Sequence, residues 1–249
     1  MKYTITSIAS LVFILMIACK PSHKTSQNQG QEWINKAIKT HGGKLYNQSA
    51  YQFEFRGKTY QFLHQNQEFS YSVTTIKNTD TLCDVLQNNN FYRSINGTKV
   101  VLSEKEKNSY FSSLNSVIYF ALLPYKLNDA AVRKNYIGST YIRQQPYKTI
   151  QVTFTKEGGG EDYEDVFYYW IHSQKHTVDY LAYKYHTNGG GIRFREAYNR
   201  RSINGIIFQD YINYKADLQS KMSELGKLLE QNKLKEVSRI ELKNIQQLH

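Results

Sequence analysis

Hydrophobic and polar residues alternate one by one along two long stretches of the chain, and this alternation predicts β-strands. In the first stretch Tyr51, Phe53 and Phe55 alternate with polar neighbours. Successive side chains of a strand point to opposite faces of a sheet, so such a segment buries one face and exposes the other. The same pattern predicts strands over residues 59–64, 68–77, 80–87, 91–95 and 98–102, and then over 139–145, 148–155, 166–172, 177–186, 191–201 and 206–215.

Apolar residues recur at helical spacing in three other segments. Residues 31–41 form the first of these, and two glycines follow them as they often follow the end of a helix. Residues 103–123 form the second, which begins with Ser103 and Glu106 at the spacing of a capping box. The apolar stripe of residues 216–249 predicts a helical C-terminal tail.

The order of these elements predicts an α+β fold. Asn-Gly pairs at 96–97 and 204–205 are typical of two-residue hairpin turns, which join antiparallel strands that are neighbours in a sheet. A large sheet with few helices to cover it must curl. We therefore expect a single domain over residues 31–215, built from a large curved antiparallel β-sheet, open and barrel-like, packed on helices.

The first nineteen residues have the pattern of an export signal. Lys2 precedes an unbroken apolar run over residues 11–18, and Cys19 follows it. This run is too short to cross a bilayer, which takes roughly 20 apolar residues. Residues 16–19 resemble the lipobox of bacterial lipoproteins, in which the cysteine becomes the acylated first residue of the mature chain. The expected organisation is a signal peptide at 1–18 and a flexible tether at 19–30 that starts from lipidated Cys19.

The net charge of the chain indicates a class of binding partner only when it is combined with the predicted export. The chain has 32 Lys and Arg against 21 Asp and Glu, a formal net charge of +11. This balance is typical of nucleic-acid binding, but an exported chain meets no genome, so we expect no nucleic-acid partner. The predicted partners are the membrane, through the acylated N-terminus, and a lipid or other anionic envelope ligand. Lys20 after the cysteine favours the outer membrane over the inner membrane.

Two charged segments are candidate functional sites. If Asn188 and Gly189 formed a two-residue turn, Lys184 would face Arg193, with Arg195 further along the same strand. Facing like charges destabilise a sheet unless something neutralises them, so this ladder predicts either an anionic ligand or an internal acidic partner. The candidate partner is an acidic loop that contains Glu157, Glu161, Asp162, Glu164 and Asp165.

No motif in the sequence assigns a catalytic residue. Walker, nucleophile-elbow, HExxH and paired CxxC motifs are all missing. His172 and His176 are four residues apart across a turn, where helical spacing does not apply, so we expect no metal and no cofactor. Adjacent carboxylates on the acidic loop are a poor match to the separation of roughly 5 to 10 Å that a glycan hydrolase needs. Enzymatic activity therefore stays open at this stage, with a non-enzymatic protein favoured.

Four segments carry a resemblance to a known family. They are residues 39–44, 119–129, 152–170 and 179–214, which include the GGG and RFREAYN sequences. Together they resemble an uncharacterised family of lipoproteins from Gram-negative bacteria over about residues 31–215. The order of elements also resembles the lipoprotein-carrier fold of outer-membrane sorting proteins, a partly open antiparallel barrel closed by helices around an apolar cavity.

The resemblance names no activity, and a shared fold does not fix function. We expect a membrane-tethered envelope lipoprotein of unknown activity whose curved sheet binds a lipid or another apolar or amphipathic ligand without catalysis. Two alternatives stay open. One is an interaction or scaffold lipoprotein that has no pocket, and the other is a carboxylate-dependent glycan hydrolase.

Overall fold

The computed structural model describes residues 25–66, 68–88, 90–157, 163–186 and 189–248. Within these ranges the chain forms three α-helices, α1 (Ser26–His41), α2 (Glu104–Ala121) and α3 (Leu225–Glu230). It also forms fourteen strands: β1 (Gln48–Phe55), β2 (Lys58–Gln65), β3 (Glu68–Lys77), β4 (Asp80–Gln87), β5 (Asn90–Ile95), β6 (Thr98–Val100), β7 (Val132–Ile142), β8 (Gln145–Phe154), β9 (Val166–His172), β10 (Val178–Tyr185), β11 (Gly191–Ile203), β12 (Ile206–Ala216), β13 (Lys235–Ile240) and β14 (Lys243–Gln247).

The strands form two antiparallel sheets of seven strands each. The first sheet has the order β14-β1-β2-β3-β4-β5-β6, and the second has the order β13-β12-β11-β10-β9-β8-β7. Both are curved, and they do not close into a barrel. The α+β prediction with antiparallel curved sheets is therefore confirmed, with the difference that the strands are divided between two sheets.

Local turn chemistry sets most of the hairpins. Asn96 and Asn204 have φ angles of 48°, and the glycine after each is also left-handed, as a type I′ turn requires. Arg143 and Gln144 form a similar turn without glycine, with φ angles of 48° and 61°. That turn ends β7 at Ile142, so this strand covers residues 132–142 and not the predicted 139–145.

Both long helices begin at side-chain caps. The Ser103 hydroxyl accepts from the Glu106 amide while the Glu106 carboxylate accepts from the Ser103 amide, which confirms the predicted capping box. Thr25 caps α1, so that helix begins at Ser26 and includes part of the tether predicted for residues 19–30. The rest of that tether, the signal peptide and Cys19 lie outside the described residues.

The helices pack between and against the sheets. Helix α2 buries Leu114 and Ile118 against the aromatic residues of the first sheet. Near its C-terminal end Phe120 packs against residues of the second sheet, so α2 contacts both sheets. Helix α1 covers the same face of the second sheet, and α3 packs on the opposite face of that sheet.

The prediction of a helical tail over residues 216–249 is wrong for most of its length. Only the short helix α3 forms, and the chain then continues as β13 and β14. Strand β13 pairs with β12 at the edge of the second sheet, and β14 pairs with β1 at the edge of the first. These edges supply hydrogen-bond partners for the backbone, which outweigh a weak helical periodicity. Within the described part of the chain, no helix is both long enough and apolar enough to cross a membrane.

Candidate ligand-binding cleft

A cleft of about 210 Å³ opens where α2, the second sheet and the C-terminal segment meet. Its walls combine apolar side chains with a few polar ones, and no aspartate or glutamate of the described residues lines it. The lining residues are Phe55, Arg56, Ser116, Val117, Phe120, Ala121, Arg195, Gln209, Tyr211, Asn213, Ile240 and Leu242. Five of these twelve residues are polar or charged, so the open cleft offers both apolar and polar contacts, as an amphipathic ligand requires.

Helical and strand periodicities place these side chains on facing walls. Four residues of α2, at 116, 117, 120 and 121, lie one turn apart and present one face of the helix to the cleft. On β12, Gln209, Tyr211 and Asn213 alternate with residues of the other face, so all three line the opposite wall. Arg56 is exposed at the end of β1 and adds a positive charge to the rim.

A buried carboxylate holds the C-terminal segment in its place as the third wall. Asp210 accepts hydrogen bonds from the Leu242 amide at 3.0 Å, from Arg201 at 3.0 Å and from Asn199 at 2.6 Å. Arg201 also donates to the Leu242 carbonyl. These contacts hold the chain between β13 and β14, so Ile240 and Leu242 face the cleft.

Among the described residues that line the cleft, Arg195 is the one buried cation. The residue is 8% exposed, its Nη2 donates to the Tyr183 hydroxyl at 3.0 Å, and its guanidinium lies 3.9 Å from the centre of the Phe120 ring. Its Nε has no hydrogen-bond partner. Within the described part of the chain Arg195 forms no ion pair, although a buried charge is ordinarily paired.

The phenols around Arg195 do not supply a negative charge. Burial raises the pKa of both Tyr169 and Tyr211, and the positive charge of Arg195 opposes that rise only in part. The Tyr211 hydroxyl accepts a hydrogen bond from Gln209 at 2.7 Å. Both side chains are therefore neutral phenols at physiological pH, and the cationic charge of the cleft is not cancelled by them.

The predicted cation ladder has the wrong register. Lys184 pairs with Ile192, and Arg193 and Arg195 pair with Tyr183 and Leu181. The connection between β10 and β11 spans five residues, 186–190, where two were predicted, and this shifts the pairing by one residue. A shift of one residue changes which face each side chain joins, so Arg195 lies on the face that contacts α2.

A different set of cations does meet across the second sheet. Arg193 on β11 is paired with Lys215 on β12, which is paired with Lys235 on β13. None of the three forms an ion pair with a carboxylate in the described ranges. Like charges therefore face each other here as the sequence suggested, but between other residues. We call Arg193, Lys215 and Lys235 the cationic row.

The acidic loop is described only in part, and its last residue, Asp165, directly precedes the Val166 that pairs with Lys184. Glu161 and Asp162 are outside the described residues. Glu157 lines a shallow surface depression, Glu164 accepts from the Tyr163 hydroxyl at 3.1 Å, and Asp165 lies 3.6 Å from His186. Because Lys184 and Arg193 do not face each other, the argument that this loop neutralises their ladder loses its basis.

The two histidines that were candidate metal ligands, His172 and His176, contact other groups of the protein. His172 Nδ1 accepts from the amides of Gln174 and Lys175, at 3.2 and 3.1 Å. His176 stacks obliquely on Trp33, with ring centres 5.6 Å apart. No cluster of three metal-ligating side chains occurs among the residues that the structure describes.

Sequence reasoning identified Arg195 but missed most of the cleft. No pattern in the sequence distinguishes Phe55, Phe120 and Tyr211 from other apolar residues, and Ile240 and Leu242 lie within the predicted helical tail. One signal was available in β12, where the polar residues Gln209 and Asn213 share a face with Tyr211. Polar side chains on the buried face of a strand indicate a site or a polar network.

A model for a family of unknown function, DUF6503, matches residues 11–242. The chain belongs to this family. The prediction of an uncharacterised family is thereby confirmed. No curated protein is similar to the chain by sequence.

The comparison with solved structures finds matches over most of this DUF6503 chain, at low identity. A LolA superfamily protein from Nitrosomonas europaea is 10% identical, with 88% of this chain and 94% of that one covered and a TM-score of 0.49. A DUF1329 family protein from Desulfovibrio piger is 11% identical, with 90% and 94% covered and a TM-score of 0.48.

A domain of an outer membrane lipoprotein-sorting protein, described as putative, from Vibrio parahaemolyticus is 6% identical, with 80% and 98% covered and a TM-score of 0.41. The order of elements had indicated such a likeness. At these identities and TM-scores it assigns neither a ligand nor an activity to the chain.

Proposed function

We propose that this protein is an envelope lipoprotein that binds the apolar part of an amphipathic ligand, such as a lipid acyl chain, in the cleft beneath α2. The observation that carries the proposal is the cleft itself, with an apolar helix face on one side and a sheet wall that contains a buried cation on the other. A binding role needs no catalytic group, and the described lining offers no carboxylate pair.

The size of the cleft limits the ligand. Pockets that enclose drug-sized ligands have volumes of roughly 300–1,000 Å³, and this cleft has about 210 Å³. Two acyl chains do not fit in this volume. A segment of one chain fits, with the remainder of the ligand at the open side near Arg56.

A bulky residue at the rim should block binding. Ser116 is exposed on α2 and lines the cleft, so Ser116→Trp places an indole over the opening without disturbing a buried contact. We expect native mass spectrometry to show co-purified lipid on the wild-type protein and less than about a tenth as much on the variant, a loss that corresponds to about 1.4 kcal/mol of binding free energy.

The matched control is Ser113→Trp, the same change at an exposed position of α2 that does not line the cleft. This variant should retain the wild-type amount of lipid. Equal lipid on the two tryptophan variants, or none on the wild-type protein, would contradict a ligand site in this cleft.

The membrane attachment is a separate proposal that rests on the sequence. If Cys19 is acylated, Cys19→Ala should move the protein from the detergent phase to the aqueous phase and remove the mass of the lipid, because two or more acyl chains hold a protein stably on a membrane. Cys83→Ala, at the other cysteine of the chain, should leave both unchanged. A Cys19→Ala protein that still partitions with detergent would exclude this anchor.

A further inference from the structure

We infer that the ligand of the cleft is a single-chain amphiphile with an anionic head, and that Arg195 is the residue that binds this head. The inference rests on the proposed function and adds the chemical class of the ligand. It follows from a buried cation that lacks a counter-charge and from the cationic row at the same face of the sheet.

One hydrogen-bond donor of the Arg195 guanidinium has no acceptor among the described residues. Phe120 and Tyr183 contact the guanidinium, and the Tyr183 hydroxyl takes one of its donors. The Nε donor is buried and has no partner. A water molecule would satisfy that donor but would leave the charge unbalanced, whereas a carboxylate or phosphate oxygen would satisfy both.

Asn213 provides a second polar group at the same place. It is paired directly opposite Arg195 on the neighbouring strand, and both residues line the cleft. Its Nδ2 donates to the Ser238 hydroxyl at 3.1 Å, while its Oδ1 is buried without a partner. The two residues therefore form a polar end of the cleft, where Arg195 donates to an anionic oxygen and the Asn213 Oδ1 accepts only from a protonated head-group oxygen, such as the hydroxyl of a phosphate monoester.

The cationic row continues this positive surface toward the end of the sheet. Arg193 is two residues from Arg195 on β11, and Lys215 is two residues from Asn213 on β12, so the row lies roughly 7 Å from the polar end of the cleft. The Lys215 and Lys235 side chains are exposed. A positive field at this distance attracts anions and repels cationic amphiphiles.

The test measures the affinity of the lipid-stripped full chain for four probes that share a dodecyl chain: dodecanoate, dodecyl phosphate, dodecanol and dodecyltrimethylammonium. Isothermal titration calorimetry should show that both anions bind at least tenfold more tightly than dodecanol. A charge-assisted hydrogen bond to Arg195 is expected to raise the affinity by roughly 10- to 100-fold. The cationic probe should bind more weakly than dodecanol. The relative affinity of the two anions distinguishes a carboxylate head from a phosphate head.

Arg195→Met keeps the length of the side chain and removes its charge. This variant should lose about 10- to 100-fold in affinity for the anions and keep its affinity for dodecanol. The thermal midpoint of the ligand-free variant should equal or exceed that of the wild-type protein, because an unbalanced buried charge is gone. Arg195→Lys, which keeps the charge, should retain part of the preference for anions, and Lys99→Met, an equal loss of charge on the edge strand β6, should retain all of it.

Two results would overturn the inference. One is equal binding of dodecanol and dodecanoate to the wild-type protein, which would leave an apolar ligand site without head-group recognition. The other is an Arg195→Met variant that has a lowered midpoint and an unchanged preference for anions, which would make Arg195 a structural residue. If none of the four probes binds, the proposed function itself fails.

Discussion

Asp210→Ala is expected to lower the free energy of unfolding by about 3 kcal/mol, near the lower end of the cost of removing one partner from a buried ion pair. Asp210 is 2% exposed and accepts from three groups, so its loss leaves the Leu242 amide without its side-chain acceptor and the Arg201 guanidinium without its carboxylate partner. Arg201 is partly exposed, and water reaches it and limits the cost. Urea denaturation measures the change directly.

The same variant should loosen the C-terminal segment before the rest of the protein. Hydrogen exchange of β13 and β14 should accelerate while the central strands of both sheets stay protected, because Asp210 is the side chain that fixes the link between these strands. Glu224→Ala is the control, since Glu224 is exposed and its pair with Lys221 contributes less than about 1 kcal/mol. Uniform exchange along the chain would show that the segment is held by other contacts.

Acidification from pH 6.5 to pH 5 is expected to cost about 3 kcal/mol of stability, roughly 1.6 kcal/mol from each of two buried histidines. Burial, reinforced by the charge of Arg200, lowers the pKa of His41 from 6.5 to about 3. Burial is also the main reason that the pKa of His64 is lowered to about 4, although its hydrogen bond to the Tyr46 carbonyl opposes the shift.

The sign of the effect follows from proton binding. Below pH 6.5 the unfolded chain takes up protons that the native protein excludes, so acid favours unfolding. The loss continues until the native groups also protonate, near pH 4 for His64 and near pH 3 for His41. Geometry agrees for His41, whose Nε2 accepts from the Val178 amide at 3.2 Å and must be unprotonated to do so.

Substituting one histidine should remove its contribution to the pH dependence of the free energy of unfolding. His41→Gln, which can still accept from the Val178 amide, should reduce the dependence of the unfolding free energy on pH between 6.5 and 5 by about half. His186→Gln is the control, because that side chain is more than half exposed. Equal slopes for wild type and His41→Gln would show that His41 does not carry the acid sensitivity.

Much of the fold is encoded in patterns only a few residues long. Alternation along the strands, the capping box at Ser103 and the two Asn-Gly turns are local, so they predicted antiparallel hairpins and the helix between them. These signals act between neighbours in the chain and do not depend on what packs against them. They say nothing about how the strands are shared between sheets.

The tail shows where local patterns fail. Residues 235–240 and 243–247 are short segments whose apolar positions fit either a loose helix or a strand. The unpaired edges of β12 and β1 decide in favour of strands, and these edges come from residues far away in the sequence. The segment between the two strands then becomes a wall of the cleft.

Local patterns in the sequence predicted the class of fold, most element positions, the family and a cluster of cations near Arg195. The folded structure was needed to show that Arg195 faces α2 and that Phe55, Phe120 and Leu242 line the same cleft. The physical reason is that register depends on the length of one glycine-rich connection, and a slip of one residue sends every side chain to the other face. A site assembled from five distant segments depends on that choice, because no single segment contains its pattern.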